Sequence, residues 1–169
     1  MREALAEAER GMAAGEAPIG CVLARGAGDT LRVVARGHNS SNAWQAKVAH
    51  AEIVAFVNAS DRNGDGQAAL PPDAEDVTLV STLEPCVMCL GAAMEVGVKN
   101  VVFGLTAPAD NGTHRVRPPE SPESTMPEIV GGVLAKESRA LFERWLERNG
   151  DTEQAAFIKQ LLSLTEDEV

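Results

Sequence analysis

Four residues in two short stretches carry the chemistry open to this sequence. His50-Ala51-Glu52 supplies an imidazole and a carboxylate, and Pro85-Cys86-Val87-Met88-Cys89 supplies two thiols. Imidazole nitrogen and thiolate sulfur are ligands that zinc accepts readily. Three of them leave one tetrahedral position for water, which is the arrangement of a catalytic rather than a structural zinc. His50, Cys86 and Cys89 are therefore expected to hold one Zn2+ per chain. Glu52 is not needed as a ligand and is expected to act beside the metal as the catalytic acid/base. A structural zinc would need a fourth ligand, and the remaining candidates, Cys21, His38 and His114, do not stand in pairs at ligand spacing. A buried Cys pair with a core His and no metal is the blander alternative. The coincidence of H-x-E with a Pro-led C-x-x-C argues against it.

The spacing dictates what must position these groups. Cys86 and Cys89 are three apart and share a face if the segment is helical. Pro85 suits a helix start, where a missing N–H costs nothing, and a helix N-terminus lowers thiol pKa toward the thiolate that zinc requires. His50 and Glu52 are two apart and do not share a face in mid-helix. In a first turn they can diverge, His50 to the metal and Glu52 to the pocket beside it.

The pattern H-x-E…P-C-x-x-C is a signature of the zinc nucleobase deaminases. On these residues the sequence resembles the cytidine deaminase-like superfamily, and within it the branch of bacterial tRNA adenosine deaminases and guanine deaminases. The resemblance implies an α/β fold, a three-layer α/β/α sandwich around a mixed five-stranded sheet. It implies hydrolytic deamination: water activated at zinc attacks an amine-bearing ring carbon, and Glu52 carries the proton to the ring nitrogen and helps ammonia leave. By the same resemblance Asn39, at the family's spacing before His50, binds the base. Ile19 of Ala17-Pro-Ile-Gly20 walls the pocket, and the backbone beside Ala51 and Glu84 aligns the substrate. An Asn amide offers both a donor and an acceptor to a purine edge, whereas an ordinary turn Asn is the plain alternative. The resemblance also implies a homodimer that buries the motif helices between subunits, with Cys89-Leu-Gly-Ala-Ala-Met94 offering small residues for close contact.

Three departures bear on the substrate. Gln45-Ala46-Lys47-Val48 stands where the tRNA-editing relatives carry Asp-Pro-Thr. Thr106-Ala107-Pro108 stands where they carry a charged Arg-Asp pair. Their basic C-terminal helix is replaced by a stretch ending Glu166-Asp167-Glu168, in which Asp151 and Glu153 add further acid against a single Lys159. The whole chain has 169 residues and a net charge of −10. Nucleic-acid affinity comes largely from Lys and Arg on phosphates, so this balance disfavours tRNA as partner. The expected substrate is a free nucleobase or nucleoside of the purine type; tRNA wobble-adenosine deamination is the alternative. A zinc-stabilised binding protein without catalysis is a third reading, and the intact Glu52 argues against it.

Composition and pattern set the frame. The length suits one domain over 1–169, with a core at about 5–147 and a C-terminal helix at about 152–164. Three cysteines, two of them in the motif, give no disulfide framework and suit a reducing compartment. Neither a signal peptide nor a membrane-length apolar run is visible, so a cytoplasmic protein is expected. Helices are expected over Met1–Ala14, His50–Asp61, Cys86–Val96, Leu134–Asn149 and Thr152–Leu164. Strands are expected over Ala17–Arg25, Leu31–Gly37, Val77–Thr82, Val101–Gly104 and Glu128–Val130. Asn63–Pro72 reads as a surface loop. The Pro-rich stretch from Leu105 to Met126, which holds Asp110 and His114, reads as a lid or a mobile excursion. Trp44 could stack on a base or cap the core, and His38 falls at a strand end near the pocket mouth.

Overall fold

The computed structural model describes residues 1–60, 69–70, 76–120 and 124–168. The loop expected over Asn63–Pro72 lies mostly outside them. The described elements run α1 (Arg2–Ala13), β1 (Gly20–Arg25), β2 (Arg32–His38), α2 (Ala51–Ser60), β3 (Val77–Leu83), α3 (Val87–Glu95), β4 (Asn100–Leu105), β5 (Glu128–Val130), α4 (Ala135–Asn149) and α5 (Glu153–Leu164).

The sheet has five strands in the order β2-β1-β3-β4-β5. A hairpin closed by residues 26–31 leaves β1 and β2 antiparallel, and β1 also pairs antiparallel with β3. From β3 onward each step crosses over, so β3–β4 and β4–β5 are parallel. The central strand β3 is buried along nearly its whole length, as a strand covered on both faces must be. This is the mixed α/β sheet that the resemblance implied.

Three apolar clusters form the core around the sheet. On one face Cys21, Leu23, Leu79 and Val101 pack against Ala51, Ala55, Phe56 and Ala59 of α2 and Leu90 and Ala93 of α3. On the other, Ala4 of α1 meets Val22 and Val80. At the carboxyl end of β3 and β4, Leu83 and Leu105 join Phe142 and Trp145 of α4 and Ala155, Ile158 and Leu161 of α5.

Two glycines set how closely the helices approach. A Cβ at Gly37 in β2 would strike the Ala51 carbonyl and the Ala55 N–H, and one at Gly20 would strike α1 at Ala4 and Ala8. The alanines along α1 and α2 complete this contact: short side chains let helix backbone lie directly on strand backbone. α2 is thereby held against the sheet at the turn that begins with the motif residues.

Several boundaries differ from the sequence expectation. β1 begins at Gly20 rather than Ala17, so Glu16 to Ile19 form an irregular approach. Leu134 adopts a left-handed conformation (φ 54°) and stands before α4 rather than within it. Cys86 is the residue before α3, with extended backbone (φ −71°, ψ 175°), and not a helical position.

Candidate active site

The metal-type ligands meet because two helices start at the same place. His50 precedes α2, and its carbonyl accepts the Val54 N–H at 2.9 Å. Cys86 precedes α3, and its carbonyl accepts the Leu90 N–H at 2.9 Å. Each sits at a helix entry, where the backbone is extended before the first turn closes. Cys89 follows in the first turn of α3, fully buried. The separation of the two thiols thus comes from an entry residue and a first-turn residue rather than from one helix face.

Both sulfurs lie 3.5 Å from His50 Nδ1, and the ligand atoms of His50, Cys86 and Cys89 all fall within 4.8 Å of one another. A regular tetrahedral zinc with ordinary Zn–S and Zn–N bonds sets sulfur and nitrogen about 3.5 Å apart. The donor set and its spacing fit zinc without rearrangement. Electrostatics agree. The Cys89 thiol and the His50 ring both donate toward Cys86, and its thiol pKa falls to about 4. The Cys86 thiolate in turn raises His50, and together with burial it pushes Cys89 up. A divalent cation held by the three residues would favour the thiolate form of both cysteines.

Glu52 is buried at 3% exposure beside this cluster. Desolvation raises its pKa, opposed by a hydrogen bond from Ser81 Oγ to Oε1 at 2.7 Å. A carboxyl group raised in this way and steadied by the Ser81 hydroxyl is suited to take and return a proton.

A cavity of about 250 Å³ opens onto His50, Cys86 and Glu52. Asn39, Ile19 and Glu84 line it, along with Ser41 and Asp110, while Ala51 is fully buried in the first turn of α2 and is not among the lining residues. The Glu84 carboxylate is committed to its neighbours: it accepts the Ala107 N–H at 2.9 Å and a short bond from the Thr113 hydroxyl. With Gly112 N–H on the Pro85 carbonyl at 2.8 Å, these bonds tie residues 106–113 to the Cys86 segment. The tied segment brings Asp110 to the wall, where burial and then the Cys86 thiolate push its carboxyl up.

The opposite wall is α5, through Gln154, Phe157 and Ile158. Its amphipathic pattern foretold a helix, but nothing in it marks which side chains would reach a site coded a hundred residues earlier. Ser81 carried no signal beyond its place in a strand. His38 and Trp44 lie elsewhere. His38 Nδ1 stands 3.7 Å from Glu7, against α1, and Trp44 is 46% exposed and does not line the cavity. His114 is exposed and apart from the ligand cluster.

Fold and site together define a zinc-dependent hydrolytic deaminase. The chain belongs to the family described as the cytidine and deoxycytidylate deaminase zinc-binding region, whose model matches residues 1–105. It is 33% identical over 158 residues to the tRNA-specific adenosine deaminase of Bacillus subtilis, spanning 92% of each chain. It is 35% identical over 159 residues to a tRNA(Ile)-lysidine synthase of Deinococcus radiodurans, of whose length it spans only 26%. Among solved structures, a tRNA:A34 deaminase superposes with a TM-score of 0.65 at 26% identity, covering 83% of this chain and 96% of that one. The guanine deaminase of Nitrosomonas europaea superposes with a TM-score of 0.60 at 24% identity over 84% of this chain and 80% of its own, a likeness of fold alone. No helix among the described residues is long and apolar enough to cross a membrane.

Proposed function

We propose that this enzyme deaminates a free nucleobase or nucleoside of the purine type, in the cytoplasm and as a homodimer. One observation carries the choice of substrate. The cavity wall holds three carboxylates, Glu52, Glu84 and Asp110, and no Lys or Arg among its described residues. A wall that offers acceptor oxygens and no cation favours a substrate edge with N–H donors, as amino-purines have, and gives a phosphate nothing to pair with.

In this reading Asn39 and Ile19 bind and wall the base, and the backbone near Ala51 and Glu84 aligns it. Zinc, held by His50, Cys86 and Cys89, would supply an activated water. Glu52 would take one proton of that water and deliver it to the ring nitrogen. It would then take the proton of the hydroxyl added to the ring carbon and pass it to the departing amine, which leaves as ammonia while the carbon–oxygen double bond forms. Its partner Ser81 holds the carboxylate turned toward the reacting atoms. Phe157 and Ile158 cover the base and exclude bulk water.

The alternative, wobble-adenosine deamination in tRNA, is supported by the Bacillus subtilis relative, which matches nearly end to end. The acidic stretch of Asp151, Glu153, Glu166, Asp167 and Glu168 and the net charge of −10 oppose it. Zinc-loaded protein offered free bases, nucleosides and an anticodon stem-loop, with ammonia release as readout, decides between them. We expect turnover of a free base or nucleoside and weak RNA binding at moderate salt. Submicromolar RNA affinity that falls steeply with salt, with inosine formed in the RNA, would reverse the choice.

A further inference from the structure

Glu16 has no part in the chemistry above, yet it is among the most buried charged groups in the chain, at 1% exposure. Its carboxylate receives three N–H groups. Asn39 Nδ2 donates to Oε2 at 3.1 Å, the Asn42 backbone N–H to Oε2 at 3.2 Å, and the Ala43 backbone N–H to Oε1 at 2.8 Å. Its backbone carbonyl is held by Trp145 Nε1 at 2.8 Å. Glu16 is thus fixed from behind by α4 and fixes in turn the loop that carries Asn39 and Ser41, both of which line the cavity.

The consequence follows from hydrogen-bond polarity. The two ends of an Asn side chain are nearly the same shape, and which end points where is decided by its partners. An ionised carboxylate only accepts. The Asn39 group beside Glu16 must therefore be the amide NH2, and Oδ1 turns the other way, where Ser41 Oγ donates to it at 3.3 Å. One N–H of the Asn39 amide and one lone pair of Oδ1 remain for a ligand.

We propose that Glu16 is a positioning residue that locks the Asn39 amide in one orientation. It thereby fixes the hydrogen-bond polarity that the cavity offers to the substrate's ring edge. The lock selects an edge with a ring-nitrogen acceptor next to an N–H donor, a pairing that unsubstituted purine bases carry. The inference rests on the reading of Asn39 as a base-binding residue.

The test compares zinc-loaded E16Q, N39D and E16Q/N39D with the parent protein. E16Q introduces an amide that can donate as well as accept, so Asn39 is free to turn. We expect its KM for the preferred base to rise about tenfold, the equivalent of one charge-assisted hydrogen bond, with kcat and zinc content unchanged. In substrate-free protein the Asn39 side-chain amide signals are expected to shift and broaden in nitrogen-15 NMR. In the double variant the new amide can donate to the new carboxylate, so Tm recovers relative to N39D. KM does not recover, because the cavity now meets acceptors alone. A purely structural role predicts that KM recovers along with Tm, and that outcome overturns the proposal. So does an unchanged KM in E16Q. If E16Q alone does not fold, the double variant carries the same comparison against N39D. If no base or nucleoside is turned over at all, the substrate reading fails and the amide NMR decides the lock by itself: unmoved Asn39 signals in E16Q overturn it.

Discussion

Glu52 is separated from its metal-ligand neighbour by a single residue, yet its carboxylate belongs to a different environment. It is enclosed, raised by desolvation and held by one hydroxyl from β3. Two expectations follow at this scale. Glu52→Ala lowers kcat by about 10²–10⁴-fold, the usual reach of general acid–base catalysis, while elemental analysis still finds about one zinc per chain. Loss of metal in that variant would mean that Glu52 is a ligand. Ser81→Ala leaves zinc in place and lowers kcat about tenfold, because one oxygen of a buried carboxylate loses its donor; a kinetic comparison at saturating substrate checks it. The positions of His50, Glu52, Cys86 and Cys89 around one site were legible from residue type and spacing. Those of Ser81 and Glu16 were not, because a serine in a strand and a glutamate after a glycine are ordinary residues until the fold supplies their partners.

At the scale of elements, the site is a junction of two helix entries held over one sheet. The distance between His50 and Cys86 is set by how closely α2 lies on β1 and β2 and how α3 leaves β3, and Gly37 controls the first of these. Gly37→Ala places a methyl group inside the α2 backbone at Ala51 and Ala55. We expect it to destabilise the protein by about 3 kcal/mol through overpacking and to weaken zinc binding, since the helix that starts after His50 must lift. Thermal denaturation and a competitive chelator titration measure the two effects, and unchanged zinc affinity would show that the helix entry tolerates the shift. The elements themselves were largely readable, because helical and strand periodicities are local. Their ends were less so: Cys86 looked helical by spacing, but a residue just before a helix takes extended backbone, and only the packed structure shows that its thiol still reaches the cluster.

Over the whole molecule, charge and uncovered surface carry the remaining expectations. Val87 at 49% and Val96 at 38% stay exposed at the two ends of α3, and a Cβ added at Gly91 between them would meet open space. A small-residue helix left bare beside the site suits a second copy of the chain. Sedimentation at micromolar concentration is expected to give a dimer, and Gly91→Arg to give a monomer; a monomeric parent protein would refute this. The other large-scale feature is α5. The acid content of the stretch around it, from Asp151 to Val169, suggested a tail that repels nucleic acid, but the helix within that stretch closes the cavity with Gln154, Phe157 and Ile158.

The sequence by itself determined the metal, the reaction class and the order of the elements, because zinc ligation and backbone periodicity depend on residue type and short spacing. Only the tertiary structure decided which distant segments share the pocket. Glu16 reaches Asn39, Ser81 reaches Glu52, Glu84 binds residues 106–113 into place, and α5 supplies a wall. Those contacts arise from how buried faces and unpaired polar groups are satisfied across the folded chain, and no local spacing encodes them.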